Sequence, residues 1–200
     1  MENQNILVTG YRGYLGSRLT KHLYHQYNII PYTTDVREYR PFSDIDIILH
    51  FASPSDSFEF RDKQKTSSTI VDGTINLLRV AKHNNAKFIF ASTMGVYEHT
   101  INDVYCTCKL AMENYITCNY NNYIILRIPR VYSRCRQKGL MRKIKKGTIP
   151  EGDMDKQVEY ITLDDFVSQT LPVLNQSNIV HEYDITCQSS IREIKRWIEE

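Results

Sequence analysis

A tyrosine and a lysine four residues apart, Tyr105 and Lys109, are the residues of this 200-residue chain with the clearest chemical potential. On a helix this spacing places two side chains on the same face, so the phenol and the ammonium group would point the same way. A nearby cation favours the phenolate and is expected to lower the Tyr105 pKa from its ordinary value near ~10. The pair could then exchange a proton with a hydroxyl or keto oxygen. Because the same spacing also occurs on ordinary helices, the neighbouring motifs must show whether the pair has a catalytic or a purely structural role.

A glycine-rich segment near the N-terminus is the first of these motifs. The apolar run 5–9 predicts a buried parallel strand, and leucines at 15, 19 and 23 predict a helix directly after it. Between them stand three glycines at the spacing of a dinucleotide-binding turn, in which backbone N–H groups and the helix N-terminus face a pyrophosphate. An ordinary strand–helix turn is the structural alternative. The candidate cofactor contacts here are Gly10, Arg12, Gly13, Tyr14, Leu15 and Gly16.

The rest of the chain alternates strands and helices. Strands are predicted at 28–32, 45–51, 87–91 and 122–128, and helices at 17–27, 68–84 and 104–119. This order predicts an α/β fold with a doubly wound, Rossmann-like parallel sheet. Ligands bind at the carboxyl ends of the strands in such sheets, so we expect one crevice lined by the glycine turn, Asp35, Ala52, Ser53 and Thr93. Residues 1–130 would form the dinucleotide-binding domain with the Tyr-x-x-x-Lys helix, and residues 131–200 a small, reduced substrate region interleaved with the last strand and helices.

Composition narrows the class of protein. With 42% hydrophobic and 24% charged residues, the profile is that of an ordinary globular domain, and a net charge of +2 gives no argument for nucleic acid. No apolar run is long enough to span a bilayer, so we expect no membrane association and a cytoplasmic protein. Five irregularly spaced cysteines indicate reduced thiols, and six scattered histidines predict no metal site. The basic stretch 134–146 is either a solvated helix face or a site for substrate phosphates.

Several motifs together carry a resemblance to a known family. They are Thr9-Gly10-x-x-Gly13-x-x-Gly16, Asp35-Val36, His50-Phe51-Ala52-Ser53, Gly73-Thr74-Ile75-Asn76-Leu77-Leu78, Ser92-Thr93-Met94-Gly95-Val96-Tyr97, Tyr105-x-x-x-Lys109, Leu126-Arg127 with Val131-Tyr132, and Tyr160-Ile161-Thr162-Leu163-Asp164-Asp165. In this order and spacing the chain resembles the extended short-chain dehydrogenase/reductases, in particular their nucleotide-sugar epimerase, dehydratase and ketoreductase group. The resemblance covers nearly the whole chain.

The resemblance implies roles for individual residues. Tyr105 would be the general acid/base, Lys109 would assist it and hold the nicotinamide ribose, and Thr93 would hydrogen-bond to the reacting oxygen. A nicotinamide cofactor would carry the hydride step. Further cofactor contacts implied by the family are Asp35, Val36, Phe51, Ala52, Ser53 and Ile128.

Departures from the family pattern bear on the reaction and the cofactor. Met94-Gly95 stands where the 4,6-dehydratases carry an Asp-Glu pair, so dehydration is not expected, and Arg130 replaces the Asn of many epimerases. The second strand ends without the acidic residue that holds the ribose of NAD. Arg12 could instead pair with a 2′-phosphate, which favours NADP(H) and leaves NAD(H) open.

Three functions remain open at this stage. The first is reduction of a 4-keto nucleotide sugar, and the second is 4-epimerisation of a nucleotide sugar with the cofactor retained. The third is a non-catalytic NAD(P)-binding module with a regulatory or scaffold role, to which the intact Thr93, Tyr105 and Lys109 set is an objection. The family also implies a homodimer formed through the two long helices. We expect the amphipathic end helix, with isoleucines at 191, 194 and 198, to close the core.

Overall fold

The computed structural model describes residues 3–56, 58–97 and 103–200. Its strands are β1 (Asn5–Thr9), β2 (Asn28–Pro31), β3 (Ile47–His50), β4 (Lys87–Thr93), β5 (Tyr123–Ile128), β6 (Val131–Tyr132), β7 (Gln157–Thr162), β8 (Ile179–Glu182) and β9 (Cys187–Ser190). Its α-helices are α1 (Tyr14–Leu23), α2 (Lys63–Asn84), α3 (Val104–Asn119), α4 (Gly139–Lys145), α5 (Leu163–Thr170) and α6 (Ile191–Glu199). Six strands form the main sheet in the order β2-β1-β3-β4-β5-β8, and all neighbours are parallel. This confirms the predicted doubly wound α/β fold.

Apolar layers cover both faces of the main sheet, because successive side chains of a strand point to opposite faces. In β1, Ile6 and Val8 pack with Leu19 and Leu23 of α1 on one face. Leu7, on the other face, packs in a cluster that also contains residues of α2 and α3. All three β1 side chains are completely buried, which explains why this strand reads as a continuous apolar run.

A second, three-stranded sheet forms beside the carboxyl end of the main sheet. Strand β7 pairs parallel with β6 and antiparallel with β9. Helices α4 and α6 cover it, and Met141, Ile144, Ile191 and Ile194 are buried there with Ile198 packed against them. The predicted role of the end helix in closing a core is confirmed. The two-residue β6 is too short to leave a periodic pattern, so this sheet was not predicted. The division of the chain at residues 130/131 stays a prediction.

Helix boundaries follow capping more closely than apolar periodicity. Helix α2 begins at Lys63, five residues before the predicted start, because its first turn is polar and is capped by Asp62, whose carboxylate accepts from the Lys65 amide at 2.9 Å. Helix α1 spans 14–23 rather than the predicted 17–27. Helix α3 has the predicted bounds, 104–119, and Asp103 caps it. Within the described ranges, no helix is long and apolar enough to cross a membrane.

Candidate active site

A cleft of about 780 Å³ opens at the carboxyl ends of β1, β3, β4 and β5. The strand order reverses here, since β2 lies on one side of β1 and β3 on the other. In doubly wound sheets this reversal is the usual ligand site. The glycine turn forms one wall of the cleft, and the segment from Arg130 to Leu140 forms the opposite wall.

The glycine turn is pressed against the end of β3. Gly10 has a φ of 67°, and a Cβ at this position would lie 2.8 Å from the backbone nitrogen of Ala52. A Cβ at Gly16 would collide with the Gly10 carbonyl oxygen. Both positions therefore require glycine, the first also because of its left-handed backbone. The N-terminus of α1 follows at Tyr14, so its unpaired N–H groups are available to an anion in the cleft.

A buried hydrogen-bond chain holds the ends of β1 and β3 together. The Ala52 amide donates to Thr9 Oγ1 at 3.0 Å, and Thr9 Oγ1 lies 2.8 Å from His50 Nδ1. His50 Nε2 in turn lies 3.3 Å from Thr74 Oγ1. Burial, with a smaller contribution from the Lys109 cation, lowers the pKa of His50 to about 3, so its ring is neutral. Sequence reasoning missed this set of hydrogen bonds, although Thr9 and His50 lie at or near the ends of predicted strands.

Tyr105 lies on the first turn of α3, with its ring facing the cleft. It stacks on Phe60 with the ring centroids 4.5 Å apart. Burial raises the pKa of the phenol, Cys106 adds to the rise, and a hydrogen bond with Ser53 opposes it. The predicted lowering of the Tyr105 pKa by Lys109 is therefore wrong for this geometry, because desolvation of the phenolate dominates.

Lys109 reaches the floor of the same cleft from the next turn of α3. Its Nζ donates to the Ala91 carbonyl at 2.6 Å and lies 4.5 Å from the Phe90 ring centroid and 5.8 Å from that of Tyr105. Only 2% of the residue is exposed, and burial lowers its pKa to about 7. Lys109 is thus a buried amine that titrates near neutral pH.

Thr93 ends β4 and also lines the cleft. Its Oγ1 accepts from the Gly95 amide at 3.1 Å, which orients the hydroxyl and leaves its proton to be donated. A Cβ at Gly95 would lie 2.9 Å from Cys106 Sγ, so a side chain there would displace the thiol.

Most of the predicted site residues meet in this one cleft. Its lining includes Gly10, Arg12, Gly13, Tyr14, Leu15, Gly16, Phe51, Ala52, Ser53, Thr93, Tyr105, Lys109 and Ile128. Asp35 and Val36 lie outside it. The Asp35 carboxylate pairs with Arg37 at 2.5 Å, which lowers its pKa to about 2, and Val36 is buried against Gly73. Their proposed contact with the cofactor stays a prediction.

The charged side chains that line the cleft are all cationic. None of the described residues that line it is acidic, whereas Arg12, Lys109, Arg130, Arg136 and Lys138 are cationic. Lys138 pairs with Glu59 at 2.7 Å, while the guanidinium of Arg136 lies 4.6 Å from the Tyr14 ring centroid. Arg12, Arg130 and Arg136 form no ion pair with a carboxylate of the described residues. Such a cleft favours a ligand with several negative charges. Among all the residues that the structure describes, no cluster of His, Cys, Asp or Glu could hold a metal ion.

Comparison with known families agrees with this chemistry. A sequence model described as the NAD dependent epimerase/dehydratase family matches residues 30–187. The chain belongs to this family. Membership confirms the resemblance that the motifs indicated and makes the chain a member of a family of nicotinamide-dependent enzymes. The glycine turn precedes the matched residues, so it is independent support.

Solved structures of such enzymes share the fold. The chain resembles dTDP-4-dehydrorhamnose reductase from Bacillus anthracis in complex with NADP, with a TM-score of 0.79 and 18% identity over 99% of this chain and 80% of the other. It also resembles UDP-N-acetylglucosamine 4-epimerase from Methanobrevibacter ruminantium in complex with UDP-N-acetylmuramic acid, with a TM-score of 0.81 and 17% identity over 98% of this chain and 81% of the other. A third similar structure is UDP-glucose 4-epimerase from Thermus thermophilus in complex with NAD, with a TM-score of 0.78 and 16% identity over 98% of this chain and 82% of the other. No curated protein matches this family member by sequence.

Proposed function

We propose that this epimerase/dehydratase-family protein is an NAD(P)-dependent enzyme acting at C4 of a nucleotide-activated sugar, by 4-keto reduction or by 4-epimerisation. The observation that carries the proposal is that Thr93, Tyr105 and Lys109 line the same cleft as the glycine turn. A proton-transfer set and a dinucleotide-binding turn in one cleft are what hydride transfer to a sugar carbon requires.

The glycine-turn side of the cleft fits a nicotinamide dinucleotide. The backbone at Gly10 and Gly16 leaves no room for a Cβ, the first turn of α1 presents its N–H groups, and no described carboxylate lines the cleft. When bound, the dinucleotide supplies or accepts the hydride. The exposed Arg12 in this turn would pair with a 2′-phosphate, and on this ground we favour NADP(H) over NAD(H).

Each of the three site residues has a distinct role in this proposal. With its raised pKa, Tyr105 is a neutral phenol at neutral pH and can donate its proton to an oxygen on which negative charge develops. The Thr93 hydroxyl donates a hydrogen bond to the same oxygen. Lys109 places a positive charge in the same cleft, 5.8 Å from the Tyr105 ring centroid. A protonated Tyr105 supports the reductive direction, because reduction of a ketone needs an acid at this position.

The far wall of the cleft supports a substrate that carries phosphates. Arg130 and Arg136 line it and form no ion pair with described carboxylates, and guanidinium groups pair well with phosphate oxygens. The bound UDP sugar of the Methanobrevibacter epimerase is a ligand of this kind. Dehydration is not part of the proposal, because this chain has Met94-Gly95 where the dehydratases carry their Asp-Glu pair.

The proposal is tested by incubating the protein with a panel of nucleotide-activated sugars and their 4-keto forms. The readout is the absorbance of the reduced nicotinamide. Net consumption of NADPH identifies reduction, and interconversion of epimers without net consumption identifies epimerisation. Binding of cofactor with no turnover of any panel member would overturn the enzymatic proposal in favour of a non-catalytic binding module. We also propose that the protein forms a homodimer through α2 and α3, which light scattering would test.

A further inference from the structure

Glu113 is a buried carboxylate directly behind the proposed site. It follows Lys109 by four residues on α3, so the two side chains lie on the same face of the helix. Both residues are only 2% exposed, and Glu113 does not line the cleft. A buried carboxylate needs partners, because an unpaired charge in the interior is strongly unfavourable.

Its partners come from two strands of the main sheet. Arg127 of β5 donates to Glu113 Oε2 from Nε at 3.0 Å and from Nη2 at 2.7 Å. The Ser92 hydroxyl of β4 donates to Oε1. Arg127 also pairs with Glu182 of β8 through Nη1 at 3.1 Å, and the side chain of this second acid is about half exposed. The guanidinium thus joins a buried acid on the inside to a surface acid on the outside.

We propose that Glu113 is a positioning residue that keeps Lys109 protonated and fixes α3 against β4. The inference rests on the proposed function, because it assigns Lys109 its charge in that site. Helix α3 is fastened to consecutive residues of β4, with Lys109 bonded to the Ala91 carbonyl and Glu113 to Ser92. The next residue of β4 is Thr93. This attachment therefore sets the register between the strand that carries Thr93 and the helix that carries Tyr105.

The charges around Lys109 explain why the acid is needed. The titratable groups that face Lys109 on its own helix are Tyr105, Cys106, Cys108 and Glu113. From β3 it faces the neutral His50, and from β5 Arg127 lies behind Glu113. Glu113 is the only carboxylate among these described groups. Without its negative charge, Lys109 would lose the carboxylate that favours its ammonium form and would release its proton more readily.

The experiment measures the titration of Lys109 with carbon-13 lysine labelling and NMR, and the pH profile of kcat/KM beside it. The Lys109 signal is assigned by its loss in Lys109→Met. We expect Glu113→Gln to move the Lys109 midpoint, and with it the alkaline limb of the profile, to lower pH by about one unit. An unchanged midpoint in a folded Glu113→Gln protein would overturn the proposal.

Glu182→Gln is the matched control. This substitution makes the same acid-to-amide change on a carboxylate that also pairs with Arg127. The Glu182 carboxylate, however, lies on the solvent-exposed side of the guanidinium. We expect the substitution to leave the Lys109 midpoint in place. A shift equal to that of Glu113→Gln would mean that Glu113 has no specific effect on Lys109, and this would also overturn the proposal.

Glu113→Asp tests positioning separately and serves if the amide variant does not fold. It keeps the charge but withdraws the carboxylate by one methylene, so we expect an unchanged Lys109 midpoint with kcat lowered about tenfold or more and KM little changed. An unchanged kcat would contradict the positioning role. Failure of the proposed function has a different signature, since wild-type protein would then turn over no nucleotide sugar while the NMR titrations still report on Glu113.

Discussion

The ammonium group of Lys109 bonds to the carbonyl oxygen of Ala91, 2.6 Å away, and lies 5.8 Å from the centre of the Tyr105 ring. In the proposed function, the lysine therefore acts on the tyrosine through space and not through a hydrogen bond. Since the Tyr105 pKa is raised rather than lowered, the phenol is expected to work from its protonated form. The predictions below follow from this arrangement and from the packing around it.

Replacement of Tyr105 by phenylalanine should lower kcat by about a hundredfold or more, because it removes the proposed proton donor and leaves the ring that stacks on Phe60. Cofactor affinity should stay within a few-fold of wild type, as measured by fluorescence titration. The exposed Tyr24 offers a matched control, and Tyr24→Phe should have no effect. Wild-type turnover in Tyr105→Phe would eliminate the assignment.

Activity should fall as pH rises through about 7, the pKa of Lys109, because the proposed site uses the ammonium form. Desolvation is the main cause of this low pKa, so the loss begins well below the usual range for lysine. A profile of kcat/KM between pH 5.5 and 9 would show it, at about tenfold loss per pH unit above the midpoint. A flat profile across neutral pH would contradict a catalytic ammonium group.

Acid should destabilise the protein through His50. Its folded pKa is about 3 and its unfolded value about 6.5, so the unfolded chain binds more protons between these pH values and stability falls as pH drops through the window. The effect amounts to several kcal/mol at most, since each unit of pKa difference is worth about 1.4 kcal/mol. Urea unfolding at a series of pH values measures it.

The control for His50 is another histidine. His50→Gln should be less stable than wild type at neutral pH and should lose less stability between pH 6.5 and 4. His25 is exposed, and His25→Gln should retain the wild-type slope. Equal slopes for all three proteins would show that the acid loss has another origin.

Substitution of Gly16 by alanine should weaken cofactor binding by at least about tenfold, because the added Cβ would meet the Gly10 carbonyl and force the turn away from β3. Gly152 has open space around its Cβ position, so Gly152→Ala should bind the cofactor as wild type does. Isothermal calorimetry with NADPH would compare them. Tight binding by Gly16→Ala would show that the turn does not hold the pyrophosphate.

Loss of the Arg12 guanidinium should reduce the preference for NADPH. We expect Arg12→Ala to weaken NADPH by about tenfold and to leave NADH nearly unchanged, since only the former carries a 2′-phosphate. Arg196→Ala, a change of the same kind at an exposed position of the end helix, should alter neither affinity. Tighter NADH than NADPH binding in the wild type would reverse the proposed preference.

The sequence alone predicted five strands of the main sheet, but not β8, and it predicted the meeting of the glycine turn with Thr93, Tyr105 and Lys109, because apolar strand patterns and glycine spacing are local signals. It did not predict the partners of buried polar groups. Glu113 and Arg127 lie 14 residues apart, and His50 and Thr74 lie 24 apart. Their pairing depends on how elements pack. The predicted direction of the Tyr105 pKa shift was wrong for the same reason, since the burial that raises this pKa is a property of the folded chain.

The position of β8 has a consequence for dissecting this protein. Residues 179–182 hydrogen-bond along β5 and so complete the main sheet from far beyond residue 130. A fragment ending at residue 130 would leave the backbone groups of β5 unpaired along that side, and exposed strand edges of this kind promote intermolecular pairing. Expression of residues 1–130 by themselves is therefore expected to yield aggregates, and cutting the chain there is not a route to two soluble halves.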